Sequence, residues 1–446
     1  MNTAPTTPTS SSASSPICAY RASLLRFDGA GKAVFDEDGL LVVDSLGQVA
    51  ASGSFAALQA TYAHLPTQHF PGRIIAPGFV DMHVHYPQID VIGSPADGLL
   101  PWLENYTFPE EKQYITLDYA AQSATFFIAE LLRNGVTTAL TFATSHVASV
   151  NAMFEAADTS GLRIITGKCM QDRNCPDGVR DETEQSLIDT ESLIQKWHGK
   201  GLRGQLGYAI TPRFAPTCSD AQMRGMGELA AEYPDVWIQS HVSENTDEIA
   251  WVRELYPQDA SYLGVYDRFG LLRKKSVYAH CIHFDDVDHA LMKARGGAAA
   301  VCPTSNLFLG SGNFDFVTAA DQGMAHGLAS DVGGGTSFSP FKTMLAAHYV
   351  SRSTSRSADV AKQPITLSPE RLWWLHTAGA AGALGLQGVV GNLQPGCDAD
   401  FVVLNPQAAP LLARRIARAS SLDELLFALI VLGDDRVIEQ TVLASS

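Results

Sequence analysis

The sequence predicts an α/β protein: a (β/α)8 TIM-like barrel with a small β-sandwich domain formed by the N- and C-terminal segments. Three observations predict it. Eight short apolar runs of strand character recur between residues 76 and 385 with helical segments between them, the signature of βαβ units on a parallel sheet. Residues 18–75 and 386–446 are turn-rich with short β segments, and neither is large enough to stand alone. The chain has 446 residues, more than the roughly 250 of one such barrel.

Taken in order, residues 1–17 are mostly Ser, Thr, Ala and Pro, without the basic and apolar regions of a secretory signal. They are read as a disordered tail. From 18 to 75 the runs Ala33–Phe35, Leu40–Val43 and Gln48–Ala51 alternate with Gly and Asp turns. The barrel strands are expected at Gly78–His85, Thr138–Ala143, Leu162–Lys168, Gly204–Ile210, Val236–His241, Ser276–His280, Ala298–Val301 and Gly327–Asp331. Ser368 before Pro369 marks a helix start, since serine caps free N–H groups and proline fits the first turn. At least one of Trp373 and Trp374 on that helix belongs in the core. Gly388, Gly391, Pro395 and Gly396 then lead into a short strand at Ala399–Leu404, and the two ends of the chain pair as one domain.

The composition is 46% hydrophobic and 17% charged with mean hydropathy +0.02, that of a globular protein with a large core. A formal net charge of −16 argues against a nucleic-acid partner, whose phosphates demand Lys and Arg. It is no objection to a small neutral substrate. Seven cysteines without a C-x-x-C pair suit a reducing compartment better than a disulfide framework. No run approaches the roughly 20 apolar residues of a membrane helix, and the expected location is the cytosol.

The chemistry starts at Asp81-Met-His-Val-His85, where His83 and His85 are two apart on a strand and share a face. Alone, this pattern is common at strand ends. Three further strands also end in metal-ligand types, at His241, His280 and Asp331, and barrel enzymes carry their functional residues at the carboxyl ends of strands. Nitrogen donors with one carboxylate and an open position describe a catalytic metal site. Glu244, three residues past His241, is placed to move protons beside such a site. A helix-start glutamate is the plainer reading of the same residue.

These features together resemble the amidohydrolase superfamily. The resemblance implies that His83, His85, His241 and Asp331 hold one metal ion, Zn2+ or else Fe2+, with His280 close to the metal-bound water and still open as a ligand. Lys168, which ends the third expected strand, is the candidate for a bridging lysine of a two-metal site and is read instead as structural. The segments His85-Tyr-Pro-Gln88, Leu100–Pro109, Thr211-Pro-Arg-Phe214, Ser305–Gly312 and Ser330–Gly335 resemble the guanine deaminases within that superfamily. That narrower resemblance implies hydrolysis of guanine to xanthine and ammonia by a homodimer. Gln88 and Arg213 would then read the base, Phe214 would pack on its face, and Glu244, His280 and Asp331 would be catalytic, with His241, Glu244 and Asp331 also touching substrate. The alternatives are a related aminohydrolase for 8-oxoguanine, an adenine derivative, cytosine or a triazine, and a metal-free scaffold. Residues 93–109 are a candidate lid, and His283 breaks the two-residue parity with His280.

Overall fold

The computed structural model describes residues 15–353 and 365–444; the Ser-rich tail lies, as far as residue 14, outside them. The chain opens with β1 (Pro16–Phe27), β2 (Ala33–Asp44), β3 (Val49–Ser54) and β4 (Thr67–Pro77). A parallel set follows: β5 (Phe79–His85), β6 (Val136–Phe142), β7 (Arg163–Gly167), β8 (Cys169–Met170), β9 (Leu206–Pro212), β10 (Trp237–Val242), β11 (Ser276–His280), β12 (Ala298–Val301) and β13 (Ala325–Leu328). Then β14 (Phe401–Leu404) and β15 (Ile438–Val442) return to the first group, giving a sheet ordered β15-β14-β4-β1-β2-β3. Leu24, Leu41, Val43, Ile75, Phe401 and Val403 form one apolar cluster of that sheet, so distant ends of the sequence share a core.

The barrel runs β5-β6-β7-β9-β10-β11-β12-β13, with the two-residue β8 added beside β9. Helices cover it by amphipathic spacing: in Leu117–Arg133 the buried residues are Ala120, Ala124, Phe127, Ile128 and Leu131, a stripe at helical period. The interior is filled by small side chains, among them Ala209, Ala279, Ala298, Ala300 and Ala329, together with Ala380 and Ala381 of the helix Ala378–Ala383. That helix plugs one end so closely that a Cβ on Gly327 would lie 2.8 Å from the Ala380 Cα. The barrel is a packed core with its chemistry confined to the other end.

Two departures from regular sheet place the site. In β5 the pairing with β6 shifts between Asp81 and Val84. Val80 and Met82 pack in the barrel interior while Val84 packs in the outer core, so the shift reverses which parity faces inward. His83 and His85 gain their inward aim there. The second departure is at the seam, because no ladder joins β13 to β5. The loop after β13 closes it: Asp331 N–H donates to the His83 carbonyl (2.9 Å), His85 N–H donates to the Val332 carbonyl (2.7 Å), and Ser330 N–H donates to the Asp81 carboxylate (3.0 Å).

This corrects the last expected strand, Gly327–Asp331. The strand ends at Leu328, and Asp331 sits in the loop with φ 50°, in left-handed backbone outside the extended region of a regular strand. The small residues before Asp331 look extended in sequence, but the chain must turn there to bring the carboxylate over the barrel. Of the other strands, those at Ser276–His280 and Ala298–Val301 coincide with expectation.

Trp373 is fully buried, 5.4 Å from the Phe79 ring and 5.9 Å from Phe341, whereas Trp374 is half-buried under the Arg371 guanidinium. Trp373→Ala should cost about 3–5 kcal/mol of stability. Chemical denaturation checks this, with metal content expected to be unchanged because Trp373 packs on Phe79 and Phe341 and on none of the ligand residues.

Candidate active site

The ligand-type side chains are delivered by three strand ends and one loop. His83 and His85 come from β5, His241 from β10, His280 from the last position of β11, and Asp331 from the seam loop. His85 Nε2 lies 3.0 Å from His83 Nε2 and 3.2 Å from His241 Nε2. Asp331 Oδ1 lies 3.2 Å from His83 Nε2 and 3.4 Å from His85 Nε2, and its Oδ2 lies 3.8 Å from His280 Nε2. His83, His85 and His241 form one group of ligand atoms within 4.8 Å of one another, and His83, His280 and Asp331 form another. The structure brings all five expected residues together.

The donor set fits a divalent cation. His241 Nδ1–H donates to the Arg213 carbonyl at 2.6 Å, which leaves Nε2 as the lone pair facing the cluster. Burial, with the neighbouring imidazoles, holds His241 well below the usual histidine range, and burial lowers His85 to about 4. Both rings are therefore neutral near pH 7, as metal binding requires. Nitrogen lone pairs about 3 Å apart repel one another unless a cation lies among them, and the Asp331 carboxylate supplies the negative charge that such a cation needs. Asp331 itself is held well below the usual carboxylate range: burial opposes its charge, but His83, His85 and His280 more than offset it. Lys168 is not among the ligand groups; its ammonium pairs with Asp181, and its N–H donates to the Tyr208 hydroxyl.

Glu244 follows β10 through Ser243, whose φ is 50°, and is buried beside the cluster with its Oε2 3.4 Å from His280 Nε2. Ser311 Oγ donates to its Oε1 at 3.2 Å. Burial, reinforced by the Asp331 charge, pushes the Glu244 carboxyl up to about 8. The helix-start role belongs to another residue. Asn245 caps the helix Thr246–Leu255, and Glu248 closes the capping box, accepting the N–H groups of Glu244 and Asn245 at 3.1 and 3.2 Å. Glu244 is thus left facing the cavity.

That cavity, about 440 Å³ counting space open to solvent, is lined by Gln88, Arg213, Phe214, Glu244, His280 and Asp331 on its polar and catalytic side. Leu99, Trp102, Leu103 and Leu309 make the apolar wall. The first three come from the segment considered a lid, which forms the helix Leu99–Trp102, a π-helical turn at Leu103–Thr107 and the helix Phe108–Glu111. Phe214 leans edge-on toward Trp251, with ring centroids 6.1 Å apart.

Sequence reasoning missed three supporting residues. Asn306 accepts from His280 Nδ1–H at 2.8 Å and so fixes that ring's tautomer. Ser311 holds Glu244, and its carbonyl accepts from His283 Nε2–H at 3.1 Å. Glu111 is buried against Arg213 and Gln88. None has a spacing relation to the ligands.

A family model described as "Amidohydrolase family" matches residues 74–445. The chain belongs to the amidohydrolase family. Membership makes it a metal-dependent hydrolase, consistent with the donor set. A guanine deaminase of Escherichia coli (strain K12) is 43% identical over 408 residues, 91% of this chain and 90% of the relative. The solved E. coli guanine deaminase superposes with TM-score 0.90 at 41% identity, covering 96% of this chain and 98% of that one. A guanine deaminase of C. acetobutylicum, solved with guanine in its active site, superposes with TM-score 0.88 at 34% identity over 96% and 98% of the two chains. Among the described residues no helix is long and apolar enough to cross a membrane.

Proposed function

We propose that the chain is a guanine deaminase, converting guanine and water to xanthine and ammonia. The observation that carries this reading is one cavity in which a metal-ligand cluster and Glu244 face the Gln88 and Arg213 pair, in a chain 43% identical to a guanine deaminase. His83, His85, His241 and Asp331 would hold one ion, for which we favour zinc. When bound, that ion supplies an acidified water near neutral pH.

The chain's own residues do the rest. Gln88 and Arg213 orient the six-membered ring by its polar edge, and Phe214 with the leucine wall covers the ring faces and excludes bulk water. His280 and Asp331 take the proton of the attacking water as its oxygen bonds to C2. Glu244 delivers a proton to N3, where the electron pair of the C2=N3 bond arrives. The C2–N2 bond then breaks with proton transfer to the departing amine, and C2 becomes a carbonyl. One water is consumed and one ammonia released.

Seven free cysteines suit a cytosolic setting, and a homodimer, a property that sedimentation velocity measures, completes the proposal together with a domain division into 18–75 plus 386–446 and 76–385.

The deciding experiment offers purified protein guanine, 8-oxoguanine, adenine, cytosine and a triazine separately, and follows ammonia release and metal content on one sample. Guanine is expected to turn over at least about a hundredfold faster than the others, with close to one metal per chain. Preference for another ring reassigns Gln88 and Arg213, and metal-free protein without turnover leaves a scaffold.

A further inference from the structure

Glu111 ends the helix Phe108–Glu111 and is 1% exposed. It touches both residues that read the base in the reaction proposed above, and this inference rests on that reading. Gln88 is anchored at both ends of its amide: Nε2–H donates to Glu111 Oε1 (3.4 Å), and Oε1 accepts from the Gly333 N–H (3.2 Å). A carboxylate only accepts and a backbone N–H only donates, so the amide cannot turn over without losing both bonds. Arg213 donates to Glu111 Oε2 at 2.6 Å and to Oε1 at 3.0 Å, with its guanidinium 4.9 Å above the Phe108 ring. Such a fork fixes the plane of the guanidinium as well as its position. A Cβ on Gly333 would lie 2.3 Å from the Gln88 carbonyl, so only glycine brings that N–H so close.

A 6-oxopurine presents an acceptor at O6 beside a donor at N1–H. A 6-aminopurine presents the reverse order. A freely rotating glutamine reads either edge by flipping its amide, and an anchored one reads a single order. We propose that Glu111 is a positioning residue for specificity, holding Gln88 in one donor–acceptor order and Arg213 in one orientation so that the cavity accepts 6-oxopurines and rejects 6-aminopurines. Paired with Arg213, it also leaves the polar end without net charge, which suits a neutral base.

The test compares guanine with 2,6-diaminopurine, which keeps the reacting 2-amino group and differs only on the edge Gln88 faces. In Glu111→Gln the new amide donates as well as accepts, so of the two anchors only the Gly333 N–H still opposes a flipped Gln88 amide. The expected result is a fall in kcat/KM for guanine of about a hundredfold, carried largely by KM, and a much smaller fall for 2,6-diaminopurine, so that their ratio shrinks at least about tenfold. Glu111→Asp, still acceptor-only, should retain most of the discrimination and serves if Glu111→Gln does not fold. A purely structural role lowers both substrates together and overturns the proposal. Gln88→Leu separates the two levels of inference. If it leaves the ratio unchanged, the reading of Gln88 itself fails, whereas a ratio that collapses in Gln88→Leu but not in Glu111→Gln removes Glu111 alone.

Discussion

Glu244→Gln should keep its metal and its fold and lose about 10²–10⁴-fold in kcat, the range for removing a positioned general acid–base. The substitution is close to isosteric, and the amide oxygen still accepts from Ser311 Oγ, which meets Glu244 at 3.2 Å. Glu244 is not among the grouped ligand atoms, so elemental analysis should give unchanged metal content. An amide has no proton to exchange with N3 at neutral pH, and this missing step is made only in the transition state. KM should therefore change far less than kcat. The native carboxyl, pushed up to about 8 by burial and by the Asp331 charge, is protonated often enough near neutrality to give a proton and basic enough to recover one. Turnover within about threefold of the native protein would remove Glu244 from the reaction and shift proton delivery to His280, 3.4 Å away.

Glu244 also shows what the sequence made legible. Its distance from His241 along the chain is a local relation, and so is the alternation that pairs His83 with His85; both follow from the geometry of one strand and the loop leaving it. The barrel itself was legible because apolar runs of similar length are separated by helical stretches, which points to a parallel α/β sheet, and because their number is eight, which points to a closed one. What could not be read are relations made by closure. The seam, where Asp331 N–H meets the His83 carbonyl, joins residues that are neighbours only after the barrel has formed. Glu111 reaches Arg213 across 102 residues from a short irregular segment without periodicity. The register shift in β5 leaves no mark in Asp81-Met-His-Val-His85, because each residue there is acceptable in a regular strand. The turn at Asp331 is hidden for a different reason: φ 50° at a non-glycine residue is disfavoured, and the surrounding contacts impose it. His280 (φ 74°) and Cys281 (φ 51°) repeat this feature at the end of β11, so strained backbone gathers around the cluster.

The largest loss should come from Asp331→Ala. Among the residues expected to hold the ion, Asp331 is the only carboxylate, with Oδ1 within 3.4 Å of two imidazoles. Neutral imidazoles alone bind a dication without neutralising any of its charge, so affinity should fall steeply when the carboxylate goes. The fold should survive, because the seam uses the Asp331 backbone N–H, which the substitution keeps, and the Asp81–Ser330 hydrogen bond is untouched. The purified variant should contain little metal, show native circular dichroism and turn over guanine about a thousandfold more slowly or worse, since the ion otherwise lowers the pKa of water from 15.7 toward about 7. Chelation of the native protein should reproduce the loss, and added zinc should reverse it there but not in the variant. Stoichiometric metal in active Asp331→Ala would instead place His280 in the donor set, where the grouping of His83, His280 and Asp331 already brings it within reach.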